Sequence, residues 1–170
     1  MKQALTAGAV AALVLASTAV FADEAMMMNP ADIKWGAAPP ALPKGAQLAV
    51  LNGDPGKPGP FTLRLKAPAN FKIAPHWHSQ AENLTVLSGE LYLGMGEKMN
   101  AKAAKGLKAG GYHYLPAKQN HFAFTKAPTV IQVSGEGPFD ITYLNPKDDP
   151  SMMAKPMDKM GDGMGMGMKK

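Results

Sequence analysis

The 170-residue chain has no cysteine, which removes disulfide staples, thiolate metal sites and a catalytic thiol together. Arginine is nearly absent: Arg64 is one among 18 Lys and Arg. Nucleic-acid readers rely on bidentate Arg and on clustered basic faces. Here the lysines are scattered, so the net charge of +5 reads as a solvated surface and a nucleic-acid partner is excluded. Aromatics make up 7% and charged residues 18%, the latter below the usual ~25% of a globular chain. Against these shortages stand 15 Pro, 18 Gly and 13 Met, and most of the methionines lie towards the two ends.

Lys2 is followed by an Ala-, Val- and Leu-rich run from Ala4 to Phe21, then Val20-Phe21-Ala22 and acidic Asp23-Glu24. This is the three-part pattern of a secretory signal peptide, and it predicts cleavage after Ala22 and a periplasmic or secreted protein. A transmembrane anchor is the weaker reading, because the run is short and carries Thr, Ser and Gly. After cleavage no membrane association is expected. Residues 23–45, rich in Met, Pro and Ala, have no period of 2 or 3.6 and read as an extended arm with Ile33 and Trp35 as docking points. From Lys147 to Lys170 there is no Leu, Ile, Val or aromatic residue, so that tail is expected to be disordered.

Between them, 46–146 reads as one domain of short strands. Phe61–Lys66 alternates cleanly, and further runs are Gln47–Leu51, Asn83–Leu87, Glu90–Leu93, Tyr112–Leu115, His121–Thr125, Thr129–Val133 and Asp140–Leu144. Turn chemistry separates them (Asn52-Gly53-Asp54-Pro55-Gly56, Ser88-Gly89, Gly110-Gly111, Gly135–Pro138). The Ala/Lys-rich stretch Glu97–Lys105 suggests a helical turn or two. Many short strands at regular spacing argue an all-β sandwich or barrel.

Two segments carry chemistry. In Pro75-His76-Trp77-His78-Ser79-Gln80-Ala81-Glu82 the two histidines point to one face of a strand, and a bend brings the Glu82 carboxylate towards them. Roughly 3 × 10⁻⁴ chance matches to His-x-His-x3-Glu-x6-Gly are expected in such a composition. The second segment, Gly110 to His121, turns at Pro116 and supplies His121 from a distant strand. Three imidazoles and one carboxylate suit a divalent first-row metal, with Mn, Fe, Ni, Cu and Zn all compatible. Because neutral imidazoles must bind, affinity is expected to fall below about pH 6.5. The fourth histidine, His113, reads as a rim or surface residue. Trp77, Tyr92, Tyr112, Tyr114, Phe122 and Phe124 are candidates for an apolar pocket, or for plain core.

These residues resemble the cupin superfamily. Its first motif, Gly-x5-His-x-His-x3-Glu-x6-Gly, is met from His76 through Gly89 with Asn70 in place of the leading Gly. The second, Gly-x5-Pro-x-Gly-x2-His-x3-Asn, is met at Gly110, Pro116 and His121, with Lys118 and Thr125 replacing the middle Gly and the final Asn. The chain also looks like small exported single-domain cupins, through Trp35, Pro39–Pro43 and the Gly137–Pro146 close. The resemblance implies an all-β double-stranded β-helix (the jelly-roll or cupin barrel), one metal on His76, His78, Glu82 and His121, and a homodimer.

The tail adds a separate signal. Met157, Met160, Met164, Met166 and Met168, set among Gly, Asp and Lys, resemble the Met-rich segments of exported copper-handling proteins and are candidate Cu(I) donors. Two function classes remain at this level. One is a periplasmic protein that binds a metal or small ligand, in copper or stress handling. The other is a metal-dependent enzyme, dioxygenase-like or isomerase-like, acting on a small molecule. No general base and no Arg clamp stands beside the ligand set, so catalytic residues are not assigned.

Overall fold

The computed structural model describes residues 25–153. The predicted signal segment and Met157–Met168 lie outside the described residues.

Among the described residues eleven strands form two antiparallel sheets. The first has the order β1 (Gly36–Ala37), β2 (Gln47–Asn52), β3 (Gly59–Ala67), β10 (Thr129–Gly137), β5 (Glu82–Ser88), β8 (Tyr112–Leu115). The second runs β11 (Thr142–Tyr143), β4 (Lys72–Trp77), β9 (His121–Thr125), β6 (Glu90–Met95), β7 (Lys105–Lys108). From β4 onward the chain changes sheet at every step except the β6–β7 hairpin. Both sheets therefore wind together as a double-stranded β-helix, the jelly roll. The core lies between them. On β3, Phe61, Leu63, Leu65 and Ala67 point inward while Thr62, Arg64 and Lys66 alternate outward. In register with them stand Ile131 and Val133 of β10, which in turn face Val86 and Leu84 of β5. From the other sheet Leu91, Leu93 and Ala123 close the layer. Each Leu, Ile or Val side chain among them contributes about 1.5–3 kcal/mol on burial.

Strand β9 is buried on both faces along its whole length. Phe122, on the face opposite His121, fits because its partner across β6 is Gly94, where any Cβ would run into the Phe122 ring.

Several expectations change. Glu97–Lys105 is not helical: Asn100 accepts the Lys102 and Ala103 N–H groups to make a turn, and Lys105–Lys108 then joins β6 as β7. Ladder pairing overrides the Ala/Lys helix propensity there. The last run, Asp140–Leu144, shortens to Thr142–Tyr143 because Asp140 turns towards His78. The arm forms a 3-10 turn at Pro30–Asp32 and a two-residue strand, β1, while Ile33 docks by burial and Trp35 by the Lys66 ammonium 4.3 Å above its ring. The first residues after the barrel are ordered rather than disordered. A 3-10 turn spans Pro146–Asp148 and a helical turn, α1, spans Pro150–Met153, held by the Asn145 side chain on Lys147 N–H and the Asp149 side chain on Ser151 N–H.

Candidate metal centre

Strand β4 carries the first ligand candidate through an irregularity. Its register with β9 breaks between Ile73 and His76, and Ala74-Pro75 occupies the break. Proline is tolerated at such a bulge because no ladder N–H is needed from it. The displaced Ala74 carbonyl accepts the His76 Nδ1–H at 2.7 Å, while His76 itself stands opposite His121. His121 opens β9 and donates its Nδ1–H to Gln119 O at 2.9 Å. His78 lies just past the end of β4, where its Nδ1–H reaches the Asp140 carbonyl. The Phe139 ring stacks on it at 4.4 Å between centroids.

A carbonyl oxygen only accepts, so all three Nδ1 atoms carry the proton and all three Nε2 lone pairs are free. That is the arrangement in which outer hydrogen bonds fix the tautomer of metal-binding imidazoles. The three residues offer nitrogen atoms within 4.8 Å of one another, and all three are buried. Glu82, the first residue of β5, sets its Oε2 3.8 Å from His78 Nε2 and 3.9 Å from His121 Nε2. Four of the residues singled out in the sequence thus meet at one point between the sheets. Neutral imidazoles with one carboxylate fit a divalent transition metal, whose charge would compensate an ionised Glu82 in this buried site.

The electrostatics relocate the expected pH dependence. Burial lowers all three imidazoles, His76 to about 2 with help from the neighbouring His121, and His121 to about 4. His76 and His121 therefore stay neutral well below pH 6.5, and His78 is shifted in the same direction. Burial instead raises the Glu82 carboxyl to about 7, so the group that must lose a proton to become a ligand near neutrality is Glu82.

Both motif departures keep the backbone shape of glycine. Asn70 has φ 59° and Lys118 has φ 63°, left-handed values that Asn tolerates and that cost Lys on the order of 1 kcal/mol. The Lys118 N–H donates to His78 O at 2.8 Å, so this turn clamps the His78 loop. Thr125, in place of the motif's Asn, is fully buried, donating to Pro68 O and accepting the Phe71 N–H.

A family described as "Domain of unknown function (DUF4437)" matches residues 17–142. The chain belongs to that family, and its fold is that of the cupins. No curated protein matches it. Among solved structures, the polyketide cyclase RemF from Streptomyces resistomycificus is similar at 17% identity and a TM-score of 0.61, covering 78% of this chain and 95% of RemF. A candidate acetylacetone dioxygenase from Methylibium petroleiphilum PM1 is 21% identical at TM-score 0.58, covering 77% of this chain and 89% of its own. An RmlC-like cupin from Shewanella frigidimarina NCIMB 400 is 12% identical at TM-score 0.50, with 64% and 87% covered. At such identities the likeness concerns the fold.

Other expectations are corrected. His113 is no rim residue: β8 pairs it with Leu84, on the inward side, and its Nε2 is buried without a partner. Its charge would oppose protonation of His121. Of the six candidate pocket aromatics only Phe124 lines the cavity beside the site, while Tyr112 and Tyr114 are exposed on the outer face. Phe139 and Asp140, which grip His78 and its loop, were missed as site residues. Their signal was the Gly137-Pro138-Phe139 turn. Among the described residues no helix is long and apolar enough to cross a membrane.

Proposed function

We propose that this chain is an exported, periplasmic or secreted protein that holds one divalent transition metal through His76, His78, His121 and Glu82 and presents it to a small-molecule ligand. The observation that carries this reading is the set of three imidazoles whose Nδ1–H groups are all taken by backbone carbonyls. Such fixed tautomers turn three Nε2 lone pairs towards one another at the cavity with no protein donor to meet them, an arrangement that a metal ion would satisfy. When bound, the metal supplies Lewis acidity or redox chemistry at positions the protein leaves open. The residues of the chain orient it, keep water out and store one proton on Glu82.

The Met-rich tail belongs to the same proposal as a Cu(I) donor set, Met157, Met160, Met164, Met166 and Met168, which gives the protein a place in metal handling. A second reading, a metal-dependent enzyme of dioxygenase or isomerase type, is favoured by one feature: an apolar cavity opens directly on the imidazole face.

Protein purified from its native compartment is expected to start at Asp23 and to contain close to one divalent metal per chain. Iron or manganese together with oxygen uptake supports the enzyme. Copper without turnover, and Cu(I) uptake that drops when residues after Pro150 are removed, supports handling. A retained Met1 overturns export, and metal-free protein overturns the ligand set.

A further inference from the structure

Behind the imidazole cluster the space between the sheets is not filled. A cavity of about 360 Å³ runs from His76, His78, Glu82 and His121 into the barrel. Its walls are aliphatic, with Leu63, Leu65, Leu91, Leu93, Ile131 and Val133 drawn from both sheets. No Lys or Arg among the described residues lines it. Arg64 points away and binds Gln132 Oε1 at 3.0 Å. Besides the imidazole cluster, the polar side chains of the described residues that line the cavity are those of Asp140, which is exposed, and Thr129. Asp140 Oδ1 accepts the Ser79 N–H, and the Thr129 hydroxyl is shared among Glu90 and Ala127 backbone groups. At the mouth Pro39, Ala41 and Leu42 of the arm complete the wall, fastened by the Tyr143 hydroxyl donating to Ala41 O at 2.8 Å.

We infer that the cavity takes a neutral or singly anionic molecule with one oxygen head at the imidazole end and an apolar body of about a dozen non-hydrogen atoms in the barrel. A second anionic group would be buried in an aliphatic chamber with no cation to meet it, a cost that sets polycarboxylates and phosphorylated compounds aside. The head half of this assignment rests on the metal proposed above. The body half rests on the cavity alone.

The two halves are tested separately by calorimetry. Metal-free protein is titrated with straight-chain primary alcohols from butan-1-ol to dodecan-1-ol, and Zn²⁺-loaded protein with octanoate and with octanedioate. Affinity for the alcohols should rise about fourfold per methylene until the cavity is full. Octanoate should bind at least about tenfold more tightly than octanedioate, since the second carboxylate finds no partner. Leu65→Phe, or Leu93→Phe on the opposite sheet should the first variant not fold, moves the chain-length limit to shorter alcohols without changing Zn²⁺ stoichiometry. Affinity independent of chain length overturns the apolar body, and octanedioate binding as tightly as octanoate overturns the single head. Absent Zn²⁺ uptake overturns the metal reading, while the alcohol series still decides the rest.

Discussion

Replacing His76 or His121 with alanine is expected to lower divalent-metal affinity by more than about 100-fold, because removal of an outer hydrogen-bond partner alone costs 10–100-fold and here a ligand itself is lost. The two are chosen because they stand opposite one another in the β4–β9 register, ring centroids 4.1 Å apart, each with its Nδ1–H anchored to a carbonyl two residues before it. The anchors are local, so the substitutions remove a nitrogen donor while leaving the strand pairing in place. Competition against a chelator of known affinity, with far-ultraviolet circular dichroism as the folding control, reads the effect. Folded variants that bind metal as tightly as the parent would show that the cluster is not the site.

Glu82 gives the second large effect, and it appears in two linked measurements. Its folded carboxyl titrates at about 7, against 4.5 for the free group, and the cause is burial. A raised carboxyl stabilises the metal-free fold fully below the unfolded value and loses that contribution as pH rises from about 4.5 through about 7. The difference corresponds to about 3 kcal/mol. Between pH 4.5 and 8 the stability of metal-free Glu82→Gln should therefore gain about 3 kcal/mol relative to metal-free parent, read by urea unfolding at each pH. The imidazoles work in the opposite direction, weakening the fold as pH falls below 6.5, but they do so in both proteins and cancel. A metal at the site reverses the sign for Glu82, since it requires the carboxylate. Metal binding by the parent at pH 6 should release about one proton, and almost none at pH 8.5, visible in calorimetry across buffers of different ionisation enthalpy. Proton release by Glu82→Gln equal to that of the parent would assign the titration elsewhere.

The sequence made the fold and the convergence of four candidate site residues legible because two short-range signals coincide. Alternation over Phe61–Lys66 marks the centre of β3, and Tyr112–Leu115 and His121–Thr125 coincide with β8 and β9. His-x-His with Glu four residues on is a local spacing that survives in three dimensions. What was illegible depends on partners distant in sequence. Lys105–Lys108 becomes a strand only because β6 offers it an edge. His113 turns inward because β5 pairs it with Leu84. Phe139 and Asp140 reach His78 across some 60 residues, and no periodicity announces that contact. The apolar cavity likewise belongs to no single segment, being built from alternate residues of both sheets and closed by the arm.

The central claim, one metal on three imidazoles and one carboxylate, is tested most directly by X-ray absorption on the full chain loaded with one equivalent of Zn²⁺. The account predicts nitrogen and oxygen neighbours at about 2.0–2.2 Å, with the multiple-scattering pattern of three imidazoles and no sulfur shell. A sulfur shell at about 2.3 Å, or fewer than two imidazoles, would place the metal elsewhere and contradict it.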